Sequence, residues 1–393
     1  MDNLAQIQAF YNKDTSSLRR SYQPFYNLKI NMISAGSYGS GVSESTGALN
    51  TYFNELGLKS FWQVLKGGED FLSLSKHLAN SFCSINTKAN KSDLEAFERH
   101  SSALRIDADC DILYIHDHHG LIAASKIKGI KKIYRCHFDV SCASQDIWDF
   151  FRPYMESFDA VIFSSPQFHK PLNANLFYIL PSINPLSVKN TFVPRPAALD
   201  VLQSFGIPAD KPIISQVSRF DRLKDPFGVI DTFNIVRKEA PCRLIFAGGH
   251  AQDDSESRQV YEEVKKKANG DKDIFILAID KQDYNIAAIQ SISDVIIQKS
   301  LSESFGLAIT EALWKNKPVV ASDIGGIKFQ IKDEQTGLLC KDIPTCAQAV
   351  LRLLKDKALA KKLGTNGHNL VKEEFLITAE LQKHLEIFKK ILQ

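Results

Sequence analysis

Short apolar runs rich in β-branched residues alternate with helical segments along the chain, and this alternation constrains the fold most. Six such runs precede a proline-rich stretch: residues 28–33, 60–65, 111–115, 132–135, 160–164 and 176–179. Six more follow it: residues 212–217, 243–247, 274–277, 294–297, 318–321 and 337–340. Strands separated by helices form parallel sheets with right-handed crossovers. The sequence therefore predicts an α/β chain with two doubly wound domains.

The proline-rich stretch suggests where the domains divide. A chain of 393 residues is longer than one hydrophobic core usually serves. Prolines cluster between residues 181 and 196, as expected for a linker. We therefore expect a first domain over residues 1–190 and a second over 191–375. Residues 376–393 carry apolar side chains at helical spacing and predict a terminal helix that packs back on the first domain.

Composition excludes several classes of protein. The net charge of +3 gives no support for nucleic-acid binding. The seven cysteines are scattered, without a CxxC pair, which favours a reducing compartment over disulfides or a zinc site. No apolar run approaches the ~20 residues of a membrane-spanning helix, and the first residues are polar. We expect a cytoplasmic protein without an integral membrane segment, and leave a homodimer open.

Two carboxylates around a predicted helix start are the strongest functional signal. Glu303 and Glu311 lie eight positions apart, with a Ser-Phe-Gly turn between them. This turn follows the run at 294–297, at the edge where open α/β sheets bind ligands. A helix start offers unpaired N–H groups and partial positive charge to an anion. A carboxylate near each end of an anion site suits a nucleotide-sugar.

Two cations are predicted at the same edge. Arg219 and Lys224 follow the run at 212–217. Arginine offers a rigid fork to phosphate oxygens and lysine a point charge, so together they could offset a leaving diphosphate. The alternative is a salt-bridged surface loop, which the nearby Glu303 segment disfavours.

Other strand ends supply weaker candidates. Gly39 and Gly41 follow the first run and resemble a phosphate-binding turn, although no P-loop ending is present. Gly248 ends another run, and a glycine there allows close backbone approach to a ligand. A flexible loop without a ligand is the alternative for each.

Histidines mark two strand ends of the first domain. His137 could donate a hydrogen bond to a sugar hydroxyl, although a lone histidine is more often structural. His116 and Asp117 open a His-Asp-His-His segment. Adjacent loop residues rarely converge on one metal ion, so we expect no metal and a loop that faces substrate.

Together these residues resemble the retaining GT-B-fold glycosyltransferases of family four, whose signature is a pair of glutamates with seven residues between them. Within that family the chain is most similar to trehalose synthases, with trehalose phosphorylases next. The supporting segments are residues 135–139, 181–187, 217–226 and 325–331. The resemblance implies two Rossmann-like domains that face each other across a cleft.

The resemblance also implies roles for individual residues. Arg219 and Lys224 would hold the diphosphate, assisted by the N–H groups of Phe305, Gly306 and Leu307. Glu303 would contact the transferred sugar and Glu311 the ribose. The remaining matches are His137 beside the sugar, and Gly39 with Gly41 near the diphosphate. From their positions at strand ends, we also expect Gly248 to bind the donor, and His116 with Asp117 to bind the acceptor.

The resulting prediction is a metal-independent hexosyltransferase without a cofactor. It would move glucose from a UDP-, ADP- or GDP-linked donor to a sugar acceptor. Three alternatives remain: a phosphorylase of trehalose type, a transferase for a different glycan, lipid or small-molecule acceptor, and a silent sensor that binds without turnover. The loop at 39–41 and the segment at 116–119 depart from the family pattern, so the acceptor stays open.

Overall fold

The chain contains two parallel six-stranded sheets with helices on both faces, as the computed structural model reveals. The structure describes residues 1–37, 40–82, 89–249, 256–280 and 282–393. The first compact unit joins the described residues up to 181 to residues 377–393, and the second holds described residues 182–249, 256–280 and 282–376. The prediction of two doubly wound α/β domains is confirmed.

The first sheet has the strand order β2-β1-β3-β4-β5-β6, with all neighbours parallel. Its strands are β1 Lys29–Ser34, β2 Lys59–Val64, β3 Ile112–His116, β4 Lys131–Arg135, β5 Ala160–Phe163 and β6 Leu176–Tyr178. The central strand β3 is buried along its whole length, which explains its continuous apolar character.

The helices of this unit are α1 Asn3–Tyr11, α2 Thr15–Tyr22, α3 Gly41–Glu55, α4 Glu69–Phe82, α5 Lys91–Ser102, α6 Leu121–Ser125, α7 Gln145–Met155 and, from the chain end, α16 Ile377–Ile391. The last helix is fixed by polar bonds as well as packing. The Tyr22 hydroxyl donates to the Leu381 carbonyl at 2.6 Å. Arg135 forms an ion pair with Glu380, and both side chains are only 1% exposed. The helix therefore completes the first unit.

The second sheet has the order β12-β11-β10-β7-β8-β9, again entirely parallel. Its strands are β7 Ile213–Val217, β8 Arg243–Gly248, β9 Ile274–Ala278, β10 Val295–Gln298, β11 Val319–Ser322 and β12 Leu338–Cys340. Its helices are α8 Arg195–Ser204, α9 Pro226–Glu239, α10 Glu256–Ala268, α11 Asp283–Ile292, α12 Leu307–Trp314, α13 Ile327–Gln330, α14 Ile343–Lys355 and α15 Lys357–Glu374.

This sheet carries an apolar core on each face. One core packs it against α9, α10, α14 and α15, and the other against α8 and α11. Ile183 belongs to the second unit because its N–H donates to the Phe375 carbonyl at 2.8 Å. The contacts therefore divide the chain after residue 181, whereas the sequence placed the domain boundary after 190.

All twelve predicted strands are present, each within one residue of its expected bounds. Among the residues that the structure describes, no helix has the length and apolar character needed to cross a bilayer.

Candidate active site

The second sheet has its topological switch point between β7 and β10. The chain leaves β7 for β8 on one side, and β10 lies on the other side. The crevice beyond the carboxyl ends of such strands is where open α/β sheets bind ligands. Arg219 and Lys224 follow β7, and Glu303 follows β10. The three predicted residues therefore lie at the switch point.

Lys224 and Glu303 are in direct contact. Lys224 ends a 3₁₀ turn, Arg222–Lys224, capped by Asp221, whose carboxylate accepts from the Leu223 N–H at 2.8 Å. The Lys224 ammonium donates to Glu303 Oε2, an oxygen that the Ser300 hydroxyl also approaches at 3.3 Å. The two side chains are 18% and 9% exposed. A ligand phosphate would therefore meet a cation that is already held in place.

Arg219 lies beside this pair on the same loop. Its guanidinium nitrogen Nη2 is 3.8 Å from Asp221 Oδ2, and its side chain is 32% exposed. Unlike Lys224, it keeps much of its surface in solvent. Its guanidinium is therefore accessible to an anion from solvent.

A second ion pair ties the same two loops together. Asp225 has a left-handed backbone with φ of 47° and caps α9 by accepting from the Gly228 N–H at 2.9 Å. Its other oxygen pairs with Lys299, which directly follows β10. A Cβ at Gly228 would overlap the Asp225 carboxylate. This pair fixes the backbone next to Lys224.

Two glycines, Gly325 and Gly326, pack against the backbone of the Glu303 loop. The Gly326 N–H donates to the Glu303 carbonyl at 2.9 Å. A Cβ at Gly325 or Gly326 would come within 3.0 Å of the carbonyl of Glu303 or Ser304, closer than real Cβ atoms approach. The buried Gln330 amide donates to the Phe305 carbonyl. These residues shape the loop that presents Glu303.

The predicted anion cradle begins α12. Gly306 precedes the helix with φ of 89°, a left-handed conformation that favours glycine. Phe305 is buried edge-on against Phe375, with ring centroids 5.5 Å apart. Leu307 is the first helical residue, and first-turn N–H groups have no acceptor within their own helix. Phe305 therefore anchors the turn by apolar packing, and the first N–H groups of α12 provide hydrogen-bond donors.

Glu311 lies one turn into α12 and is only 1% exposed. The Lys189 ammonium is 3.0 Å from its Oε1, in an ion pair without hydrogen-bond geometry. The Gln290 amide donates to Oε2 at 3.4 Å. The Lys315 ammonium donates to the Glu311 carbonyl at 3.3 Å, and burial lowers the pKa of Lys315 to about 8. Oε1 thus keeps acceptor capacity for a ligand hydroxyl.

The predicted donor-side glycines have different positions. A Cβ at Gly248 would overlap the Ser218 carbonyl, so this glycine lets β8 pack against the loop that carries Arg219. Gly41 is the first residue of α3, after the helix cap at Ser40. Gly39 lies outside the described residues.

In the first unit, the switch point lies between β1 and β3, and the histidines cluster beside it. His116 ends β3 and is 1% exposed, whereas His137 follows β4 and is half-buried. Their ring nitrogens, His116 Nδ1 and His137 Nε2, are 3.1 Å apart. His116 is therefore the more deeply buried of the two rings and contacts His137 from the protein interior.

Asp117 also holds His137. Its backbone is left-handed with φ of 61°, and its carboxylate accepts from the His137 N–H at 3.1 Å. Its own N–H donates to the Arg135 carbonyl at 2.9 Å. Both residues that were predicted to bind the acceptor thus support the histidine predicted to act in catalysis.

The remaining histidines of the segment do not converge with His116. His118 Nε2 is 3.2 Å from the Ser75 carbonyl, so this nitrogen is the protonated donor. Burial lowers the pKa of His118 well below the usual range. Within the described ranges, no three His, Cys, Asp or Glu side chains are arranged to hold a metal ion.

Comparison with known proteins decides the family. The family model for the trehalose synthase N-terminal domain matches residues 32–170, and that for glycosyl transferases group 1 matches residues 200–370. Trehalose synthase of Pyrococcus horikoshii is 33% identical over 96% of this chain and 94% of its own length. This chain belongs to the trehalose synthase family. The family member from Rubrobacter xylanophilus is also 33% identical, over 92% of this chain and 90% of its own.

Solved structures confirm the GT-B fold. Sucrose-phosphate synthase of Thermosynechococcus elongatus aligns with a TM-score of 0.72 at 20% identity, over 93% of this chain and 99% of its own. Anabaena Alr3699/HepE, in complex with UDP-glucose, aligns with a TM-score of 0.70 at 15% identity, over 92% and 99%. This chain thus has the GT-B fold that its sequence predicts.

Several supporting residues escaped the sequence analysis. Gly325 and Gly326 lie in the segment 325–331 that supports the family resemblance, but their contact with the Glu303 loop was not predicted. No sequence pattern near Lys189 or Lys299 indicates a role, because each contacts its carboxylate partner only in the tertiary structure. The roles of Arg219, Lys224, Glu303, Glu311 and His137 stay predictions whose geometry is now defined.

Proposed function

We propose that this protein is a retaining glycosyltransferase that moves a glucosyl unit from a nucleotide-linked donor to a sugar acceptor. The observation that carries the proposal is the contact of Lys224 with Glu303 at the switch point, with Arg219 on the same loop. Two cations beside a helix start suit a diphosphate, and a carboxylate beside them suits sugar hydroxyls.

Glu311, one turn into α12, is the group that we assign to binding the nucleoside. Its Oε1 accepts no hydrogen bond from the described residues, although the carboxylate is buried. A buried acceptor of this kind gains from a ligand hydroxyl, and ribose provides two. The similar fold of a UDP-glucose complex adds to this assignment.

The proposed reaction breaks the bond between the anomeric carbon and the diphosphate oxygen. The acceptor oxygen bonds to that carbon from the same face, and its proton passes to the departing diphosphate. Arg219, Lys224 and the first N–H groups of α12 stabilise the negative charge that develops on the leaving group. Because these groups provide the positive charge, we expect transfer to persist in the presence of EDTA.

The test incubates purified protein with glucose and UDP-, ADP- or GDP-glucose, and follows both nucleotide release and the disaccharide. We expect one donor to be preferred and an α-linked product. Reactions without acceptor control for hydrolysis of the donor. Absence of turnover with every pair, together with absence of donor binding, would refute the proposal.

Two further arms separate the rival functions. Consumption of trehalose that requires inorganic phosphate would indicate a phosphorylase, with phosphate beside Arg219 and Lys224. Donor binding without transfer to a panel of sugar, lipid and small-molecule acceptors would indicate a silent sensor. Strict dependence on a nucleotide-sugar supports the transferase.

A further inference from the structure

The contact between His116 and His137 constrains where each ring carries its proton. His116 Nδ1 and His137 Nε2 are 3.1 Å apart, and the rings are inclined by only 17° with centroids 5.4 Å apart. This is the geometry of an in-plane hydrogen bond between two imidazoles. One of the two nitrogens must carry the proton, and the other must accept it.

The other nitrogen of His116 identifies the donor. His116 Nε2 is buried and has no hydrogen-bond partner among the described residues. The ring lies flat against Tyr114, with centroids 4.6 Å apart. An orphaned buried N–H is rarer than an unused acceptor. The proton of neutral His116 therefore lies on Nδ1, which donates to His137 Nε2.

The surroundings keep both rings neutral. Burial, and after it the positive charges of neighbouring groups that include Arg135, lowers the pKa of His116 and of His137 well below the usual range. Asp117 faces the main chain of His137 and accepts from its N–H. The hydroxyl of Tyr114, whose ring stacks on His116, lies 2.8 Å from His384 Nε2.

We infer that His116 is a positioning residue that holds His137 in the tautomer protonated on Nδ1, so that His137 meets its ligand as a hydrogen-bond donor and not as a base. The Nε2 lone pair of neutral His137 accepts the hydrogen bond from His116. It is therefore not available to take a proton from the hydroxyl of the sugar acceptor. In this tautomer Nδ1–H is the only donor on the His137 ring, and it is available to an oxygen of the transferred sugar. The role assigned to this sugar contact rests on the proposed function.

The direct test is histidine tautomer analysis by long-range ¹H–¹⁵N correlation NMR on ¹⁵N-histidine-labelled protein at neutral pH. The His137 signals are assigned from their loss in His137→Gln. We expect His137 to carry its proton on Nδ1 and a bare Nε2. A proton on Nε2, or a charged ring, would overturn the inference. This readout needs no activity, so it stands apart from failure of the proposed function.

A matched pair of variants tests the consequence. His116→Asn places an amide N–H near the former Nδ1, whereas His116→Leu removes the donor. We expect the Asn variant to keep the tautomer and turnover within about threefold. The Leu variant should lose turnover by on the order of 10- to 100-fold, while its affinity for the free nucleoside diphosphate, which lacks the transferred sugar, stays unchanged. Equal turnover in both variants, with an unchanged His137 spectrum, would contradict the inference. Should the Leu variant not fold, the wild-type tautomer still decides.

Discussion

The ammonium of Lys224 contacts the carboxylate of Glu303, 79 positions further along the chain. The contact joins the loops after β7 and β10, the two strands that flank the switch point. In the free protein, each group partly neutralises the other. In the reaction proposed above, a diphosphate between Lys224 and Arg219 would release the carboxylate to bind sugar hydroxyls.

Lys224→Met should lower the rate of transfer strongly while the fold is retained. The variant removes the charge that we propose to face the leaving diphosphate, but keeps most of the length of the side chain. We expect a loss of about 10²- to 10³-fold in kcat, because one electrostatic contact to developing charge contributes about that much. Steady-state assays of nucleotide release measure it. Lys361→Met, an exposed lysine of α15, is the matched control and should retain full activity.

Glu303→Gln and Glu311→Gln should separate sugar binding from nucleoside binding. Both variants keep shape and lose charge. We expect Glu311→Gln to weaken binding of the free nucleoside diphosphate about 10-fold or more, since hydrogen bonds to charged groups contribute about 1.5–3 kcal/mol. Glu303→Gln should leave that affinity within about threefold and lower kcat instead. Titration calorimetry with UDP, ADP and GDP measures the first effect, and the reversed pattern would contradict the assignment.

Gly325→Ala should disturb the Glu303 loop. Gly325 has φ of 44°, and a Cβ there would overlap the Glu303 carbonyl. We expect the free energy of unfolding to fall by about 2–4 kcal/mol, from left-handed strain plus the clash. Gly206→Ala is the matched control: Gly206 also has a positive φ, of 68°, but open space around its Cβ. It should lose only about 1–2 kcal/mol and keep its activity. Chemical denaturation compares them, and equal losses would argue against the close approach.

Mild acid should destabilise the first unit through its buried histidines. Burial lowers the pKa of His384 from 6.5 to about 4. The unfolded chain therefore binds a proton between those values while the folded chain does not, so stability is complete above pH 6.5 and falls as the pH drops towards 4. The loss from this residue is about 3 kcal/mol. The similarly lowered pKa values of His116, His118 and His137 add to it.

Denaturation curves across that pH range measure the slope. His384→Gln removes one titrating group, and its unfolding free energy should depend less steeply on pH. Identical slopes for wild type and the His384 variant would contradict this account.

The order of strands along the chain was predictable because it is a local property. A strand that is buried on both faces is a continuous apolar run in the sequence, as in β5. The edge at which each loop lies follows from parallel pairing alone, so the approach of Arg219, Lys224 and Glu303 could be expected. The neighbours of these residues could not, because the partners of Glu311 come from elements that are distant in sequence.

By itself, the sequence determined that two parallel sheets form and that cations and carboxylates share one sheet edge, since strand patterning and direction are encoded locally. The tertiary structure alone decided which groups touch. It pairs Lys224 with Glu303, places Lys189 against Glu311 and sets His116 behind His137. Those contacts depend on strand order and side-chain packing, which bring together residues that no local pattern connects. Burial then fixes the charge of a group, as it does for the two neutral histidines.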